Sequence, residues 1–176
     1  MIRFRTATPD DIPLIQKLAH LIWPQAFLTI ITQTQLEIML AKMYDPVTLR
    51  HEMANGFIWK IIEERGSPIG YLSYSMIDPA TCKLHKVYVL PEKQGQGIGK
   101  KCLTEAARYA QENGAGNLIL MVNRANEKAL RTYRAFGFHE DESIDWEFSP
   151  GFILHDYKMR LEVETPNSEV RIQKSE

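Results

Sequence analysis

Apolar and polar positions change period several times along the chain, and each change marks an element. Ile2-Arg3-Phe4-Arg5 alternates like a first strand. Thr8-Pro9-Asp10-Asp11 then reads as a helix start, with Thr8 as cap, Pro9 in first position and Asp11 three residues after the cap. Ile12, Ile15, Leu18, Ala19 and Ile22 follow at helical spacing. From Trp23 to Gly56 the pattern is least regular and Pro24 and Pro46 punctuate it. Leu36, Met39, Leu40 and Met43 still form a helical stripe, and Leu49 and Met53, with His51, mark a short helix that ends at Asn55-Gly56. Residues 57–62 and 68–76 read as strands of a hairpin with Gly66 in its turn, and Asp78-Pro79 turns the chain again.

The next stretch, Leu84 to Lys100 (LHKVYVLPEKQGQGIGK), organises the rest. A short strand ends at Pro91. Glycine then occupies every second position at Gly95, Gly97 and Gly99, and Ile98, Cys102, Ala106 and Ala110 repeat at helical spacing up to Asn113-Gly114. A buried-strand run, Leu118 to Val122, leads to a second helix carrying Ala129, Leu130, Tyr133 and Phe136, closed by Gly137. Residues 138–148 and 152–161 form a last hairpin around Ser149-Pro150-Gly151. From Glu162 the chain is charged and poor in large apolar residues, so residues 162–176 are expected to be a frayed tail behind a single domain, 1–161.

Strand, glycine turn and helix start together offer bare backbone N–H groups and a helix N-terminus to a phosphate. Two phosphate loops are excluded. G-x-G-x-x-G fails because Lys100 or Cys102 stands at its last position, and a P-loop fails because Gln94 and Lys101 replace its first glycine and its Ser/Thr. The string does fit Q/R-x-x-G-x-G/A at Gln94, Gly97 and Gly99.

Composition narrows the class. A formal net charge of −1, with no basic run interleaved with aromatics, argues against a dedicated nucleic-acid partner. No apolar run of about 18 residues suggests a membrane span, and the N-terminus lacks a signal-peptide apolar segment. Cys82 and Cys102 make no disulfide framework, which suits a reducing, cytoplasmic setting. The five histidines show no metal-ligand spacing, so no metal is expected.

The order strand, glycine loop, helix, strand, helix resembles the GNAT superfamily of N-acetyltransferases. The phrasing LHKVYVLPE…GQGIG is similar to its polyamine/diamine branch, closely over residues 84–161 and loosely elsewhere. The resemblance implies an α/β (α+β) fold with a mixed, mostly antiparallel sheet of about seven strands flanked by about four helices. It implies acetyl-CoA as co-substrate, a small primary amine or polyamine as acceptor ahead of a peptide or protein N-terminus, and direct attack. Gln94, Gly95, Gln96, Gly97, Ile98, Gly99 and Lys100 would hold the diphosphate, with Lys93 and Lys101 adding charge nearby. The backbone of Val87, Tyr88 and Val89 would pair with the coenzyme arm, which requires the central strands to splay. Asn126 and Tyr133, seven residues apart or about 10 Å along one helix face, match the family's arm contact and general acid. A phenol can protonate a leaving thiolate.

Met121 stands where some members place a catalytic glutamate, so another base is needed. His85 is the first choice, with Glu63, Asp145 and Asp156 as alternatives acting through water or holding a cationic amine. Trp23, Phe27, Gln35, Met39 and Tyr44 are candidates for the acceptor pocket, and Asp145, Glu147 and Asp156 for an acidic polyamine site. A catalytically silent acyl-CoA sensor of the same fold is the competing reading, and a homodimer through the last hairpin or tail is the expected assembly if one forms.

Overall fold

The computed structural model describes residues 1–165; the expected frayed segment from residue 166 onward lies outside the described residues. Seven strands form one sheet: β1 (Ile2–Thr6), β2 (Ile58–Glu64), β3 (Ser67–Asp78), β4 (Thr81–Val89), β5 (Asn117–Asn123), β6 (His139–Ser149) and β7 (Phe152–Glu162). Their spatial order is β1-β2-β3-β4-β5-β7-β6, and only the β4–β5 pair is parallel. That is the mixed, mostly antiparallel sheet of the expected fold. Among the described residues there are five α-helices rather than about four: α1 (Ile12–Phe27), α2 (Gln33–Met43), α3 (Pro46–Ala54), α4 (Ile98–Glu112) and α5 (Glu127–Phe136).

Local chemistry explains most boundaries. The Thr8 N–H donates to the Asp11 carboxylate at 2.8 Å, closing the predicted cap over a 3₁₀ turn at Pro9–Asp11 before α1. Pro24 does not end α1, which runs through it to Phe27. Burial of Ile22 and Trp23 outweighs the one backbone hydrogen bond that Pro24 cannot make. Thr32 and Gln35 form a reciprocal capping box at 3.1 and 3.0 Å. Asp45 caps α3 with Pro46 in first position. Arg65 and Gly66 both take positive φ, the two-residue hairpin turn that matches strand twist.

Each face of the sheet buries its own core. Leu72, Tyr74, Cys82, Leu84 and Val122 pack with Cys102, Leu103, Ala106 of α4 and Leu130 of α5. Trp59, Ile61 and Tyr71 pack on the other face with Ile15, Ile22, Trp23 of α1, Leu36 of α2 and Leu49 of α3. Trp23 donates its indole N–H to the Tyr44 and Tyr71 hydroxyls at 3.1 and 3.2 Å, and those hydroxyls are 2.6 Å apart. No described helix is long and apolar enough to cross a membrane.

Candidate active site

β4 and β5 pair only from Thr81 to Leu84, against Asn117 to Leu120. Beyond that rung β4 continues to Val89 and β5 to Asn123 with no ladder between them. The cause is local. Ser73 and Tyr74 of β3 face Lys86 and Leu84 of β4, so His85 is an extra, bulged residue. The bulge swings the upper half of β4 away from β5. It also reverses facing: Leu84 lies in the α4-side core, whereas Lys86 lies over the Trp59 ring on the other side. Register fixes which backbone groups enter the gap. The Leu90 N–H bonds the Ile69 carbonyl at 2.8 Å, so alternate residues below it bond β3 in turn. Val87 and Val89 therefore turn their N–H and C=O groups into the split.

A groove of about 1450 Å³ runs through this split and reaches both faces of the sheet. On the α4–α5 side it is lined by Gln94, Gly95, Gly97, Ile98, Gly99, Lys100, Asn126 and Tyr133, with Val87, Tyr88 and Val89 between. The expected coenzyme residues are thus brought together, apart from Gln96, whose side chain folds back to donate to the Glu92 carbonyl at 3.3 Å. Gly95 and Gly97 take φ of 74° and 77°, and a Cβ built on Gly97 meets nothing within 4 Å. The space above it is free for a ligand. At the start of α4 the Lys101 N–H bonds the Gly97 carbonyl at 3.3 Å. The amides of Gly95 to Lys100 ahead of it have no backbone partner among the described residues, and α4 adds its positive N-terminus. Gln94 anchors the loop by donating to the Val89 carbonyl at 3.0 Å, and Lys128 donates to the other end of its amide. Lys93 is engaged by Glu64 at 2.5 Å rather than offering free charge.

Asn126 caps α5, its Oδ1 accepting the Ala129 N–H at 3.3 Å, so capping and a place on the groove coexist. Tyr133 packs edge-on to Phe138 at 6.0 Å. Its hydroxyl bonds nothing among the described residues, and burial pushes its pKa up to about 12.

On the α1–α3 side the groove is walled by Trp23, Phe27, Met39, Trp146, Phe148 and Leu154. Of the five acceptor candidates, Trp23, Phe27 and Met39 are there. Gln35 is spent on the α2 cap and Tyr44 on the buried Tyr71–Trp23 cluster. Of the three acidic candidates only Asp156 lines the groove. Its Oδ2 accepts the Trp146 indole N–H at 2.8 Å, and burial raises its pKa above the usual carboxylate value. Asp145 is bound by Arg124 and His155, and Glu147 accepts the Gly151 N–H at 2.7 Å. Glu63 is bound by Arg5 at 2.9 Å on β2, near the sheet edge and outside the groove. His85 stacks on Phe57 at 4.4 Å with its Nε2 2.7 Å from the Ser75 hydroxyl. Burial, with Lys83 and Lys86 nearby, pushes its pKa down to about 3, far from the near-neutral value a working base needs.

Trp146, Phe148 and Leu154 were missed; their period of two along the last hairpin, in step with the expected Asp156, is the signal that would have grouped them. Nothing in sequence marks the bulge at His85. Among the described residues no group of three His, Cys, Asp or Glu side chains is placed to hold a metal ion.

Comparison with known proteins places the fold and the family. A thialysine N-epsilon-acetyltransferase from Bos taurus is 32% identical over an alignment of 126 residues that covers 60% of this chain and 74% of that one. A streptothricin acetyltransferase from Streptomyces lavendulae is 40% identical over 55 residues, 31% of this chain and 29% of that protein. In fold the chain is similar to the PaiA N-acetyltransferase of Thermoplasma acidophilum, solved in complex with coenzyme A, with a TM-score of 0.78 at 21% identity over 92% of this chain and 99% of that one. The profile of the Acetyltransferase (GNAT) family matches residues 15–138, and the chain therefore belongs to that family of acetyl-CoA-dependent N-acetyltransferases.

Proposed function

We propose that the chain moves the acetyl group of acetyl-CoA to the primary amine of a small acceptor by direct attack, with no acyl-enzyme. The observation that carries this reading is the groove through the β4–β5 split, which opens to both faces of the sheet. A donor and an acceptor can each enter from one side and meet beside Val87.

In this reading the amides of Gly95 to Lys100 hold the diphosphate, and the Val87 backbone groups and the Val89 N–H pair with the amides of the coenzyme arm as an added strand would, the Val89 carbonyl being held by Gln94. The Val87 N–H, turned into the split, is suited to polarise the thioester carbonyl. Asn126 contacts the arm. Asp156 receives the acceptor ammonium and takes its proton; its raised pKa suits that work better than the low value of His85. Tyr133 serves the departing sulfur by donating a hydrogen bond to its growing negative charge, since burial holds the phenol at about 12. Cys82 and Cys102 are buried with thiol pKa values pushed up to about 12, which supports attack without a cysteine intermediate. The two free thiols also fit a reducing compartment such as the cytoplasm. With Asp145 and Glu147 engaged elsewhere, a small amine is favoured over a polyamine, and a peptide N-terminus comes next.

The test is thiol release from acetyl-CoA against spermidine, putrescine, amino acids, aminated antibiotics and short peptides, alongside a thermal shift with acetyl-CoA. Release with one acceptor class supports the reading. A thermal shift with no release from any acceptor would favour a silent acyl-CoA sensor instead.

A further inference from the structure

The acceptor side of the groove holds two opposite charges that do not satisfy each other. Asp156 is one. Lys83 is the other: it lines the groove on the same face, partly buried, and its ammonium makes no hydrogen bond or ion pair among the described residues. Burial lowers the Lys83 pKa and Asp156 only partly offsets this, so Lys83 lacks a full counterion. Neighbouring cations are already engaged. Lys86 pairs with Glu52 at 3.7 Å and Arg124 with Asp145.

Register separates the two groups. Lys83 stands opposite Ile119 on the last paired rungs of β4 and β5, at the bottom of the split. Asp156 stands opposite Asn123, four residues further up β5 and close to the level of Val87. At about 3.3 Å per residue the two positions are offset by roughly 13 Å along the strands, with β5 between them, and the long lysine side chain shortens the gap. An amine held at Asp156 beside the thioester would leave the rest of its molecule pointing down the groove toward Lys83.

We infer that the acceptor is an amine carrying an acid group several bonds away, an ω-amino acid in charge pattern, with Asp156 receiving the ammonium and Lys83 the acid. A polyamine would place further cations beside Lys83 with one carboxylate to balance them. The inference rests on the acetyl-transfer reading above and narrows its acceptor.

The experiment is thiol release from acetyl-CoA with 6-aminohexanoate, its methyl ester and 1,5-diaminopentane as matched acceptors, in the wild-type protein and in Lys83→Met and Lys83→Glu. Circular dichroism and the acetyl-CoA thermal shift check that each variant folds and holds its donor. The expected kcat/KM for 6-aminohexanoate is at least tenfold above both the ester and the diamine. Lys83→Met should erase that preference and Lys83→Glu should invert it toward the diamine, with the KM for acetyl-CoA unchanged. Equal rates for acid and ester, a wild-type preference for the diamine, or a preference that survives Lys83→Met would overturn the inference while leaving acetyl transfer intact. Failure of every amine to release thiol from a protein that binds acetyl-CoA would overturn the proposed function, and this inference with it.

Discussion

Replacing Tyr133 by phenylalanine removes one oxygen from the wall of the groove. That hydroxyl bonds no group among the described residues, so its loss breaks no internal hydrogen bond, and the ring can keep its edge contact with Phe138. Thermal stability should stay within about 2 °C of wild type. The catalytic effect can be sized. Burial holds the phenol at about 12, while a free thiol ionises near 8.5. Complete proton transfer to the departing thiolate would be uphill by about 3.5 pH units, or about 5 kcal/mol. The phenol therefore contributes chiefly as a hydrogen-bond donor to the growing negative charge. Such a bond to a charged group is worth about 1.5–3 kcal/mol, or about 10- to 150-fold in rate. Tyr133→Phe should lower kcat by that factor in steady-state thiol release, with the KM for acetyl-CoA within about twofold of wild type. Because the phenol remains protonated through pH 10, the shape of the pH profile below that should not change. Turnover within twofold of wild type in a folded variant would refute the role of Tyr133. A loss well above 1,000-fold would refute the sizing instead, because only complete proton transfer could account for it.

Gly97→Val should fold with a lowered melting temperature, because a side chain at φ of 77° costs about 1–2 kcal/mol, and should show no thermal shift with acetyl-CoA, because the branched side chain fills the open space over the loop. A normal shift would contradict the diphosphate assignment. Asp156→Asn should lower kcat/KM for amines by about 100-fold or more and yet raise the melting temperature at neutral pH. Its folded pKa is raised above 3.8, so ionised Asp156 opposes folding as pH rises through that folded value, and asparagine removes the effect. A melting temperature unchanged by the substitution at pH 7 would argue against a buried, desolvated carboxylate. His85 acts in the opposite direction. Its folded pKa of about 3 lies below the ordinary 6.5, so the stability it contributes is complete above pH 6.5 and lost as pH falls toward 3, by at most about 5 kcal/mol. His85→Gln should flatten the acid limb of a melting-temperature profile between pH 6.5 and 4; an unaltered limb would show that His85 is not held neutral.

Much of the fold was legible because local rules and burial agreed. The alternation of β1, the Thr8–Asp11 cap, the Gly66 turn and the glycine loop before α4 each depend on residues close in sequence. Pro24 was misread as a boundary because its local cost is visible in sequence, whereas the burial of Trp23 beneath it is not. Tyr44 was misplaced for a related reason. An aromatic residue at a helix end can face a ligand or a core, and only the hydroxyl of Tyr71 and the indole of Trp23 decided that it faces the core.

The sequence by itself determined the element order, the glycine loop with its positive-φ Gly95 and Gly97, and the spacing of Asn126 and Tyr133 along α5. These follow from backbone sterics, helix geometry and short-range capping, which operate within a few residues. Only the tertiary structure decided where the strands part, because the bulge at His85 exists only relative to β3. It also decided which acid is chemically available. Asp145, Glu147 and Asp156 are alike in sequence, but pairing of β6 with β7 engages the first two with Arg124, His155 and Gly151 and buries the third in the groove. A carboxylate's basicity and reach are set by the groups that surround it in space, and those groups come from β4, β5 and β6, distant in the chain.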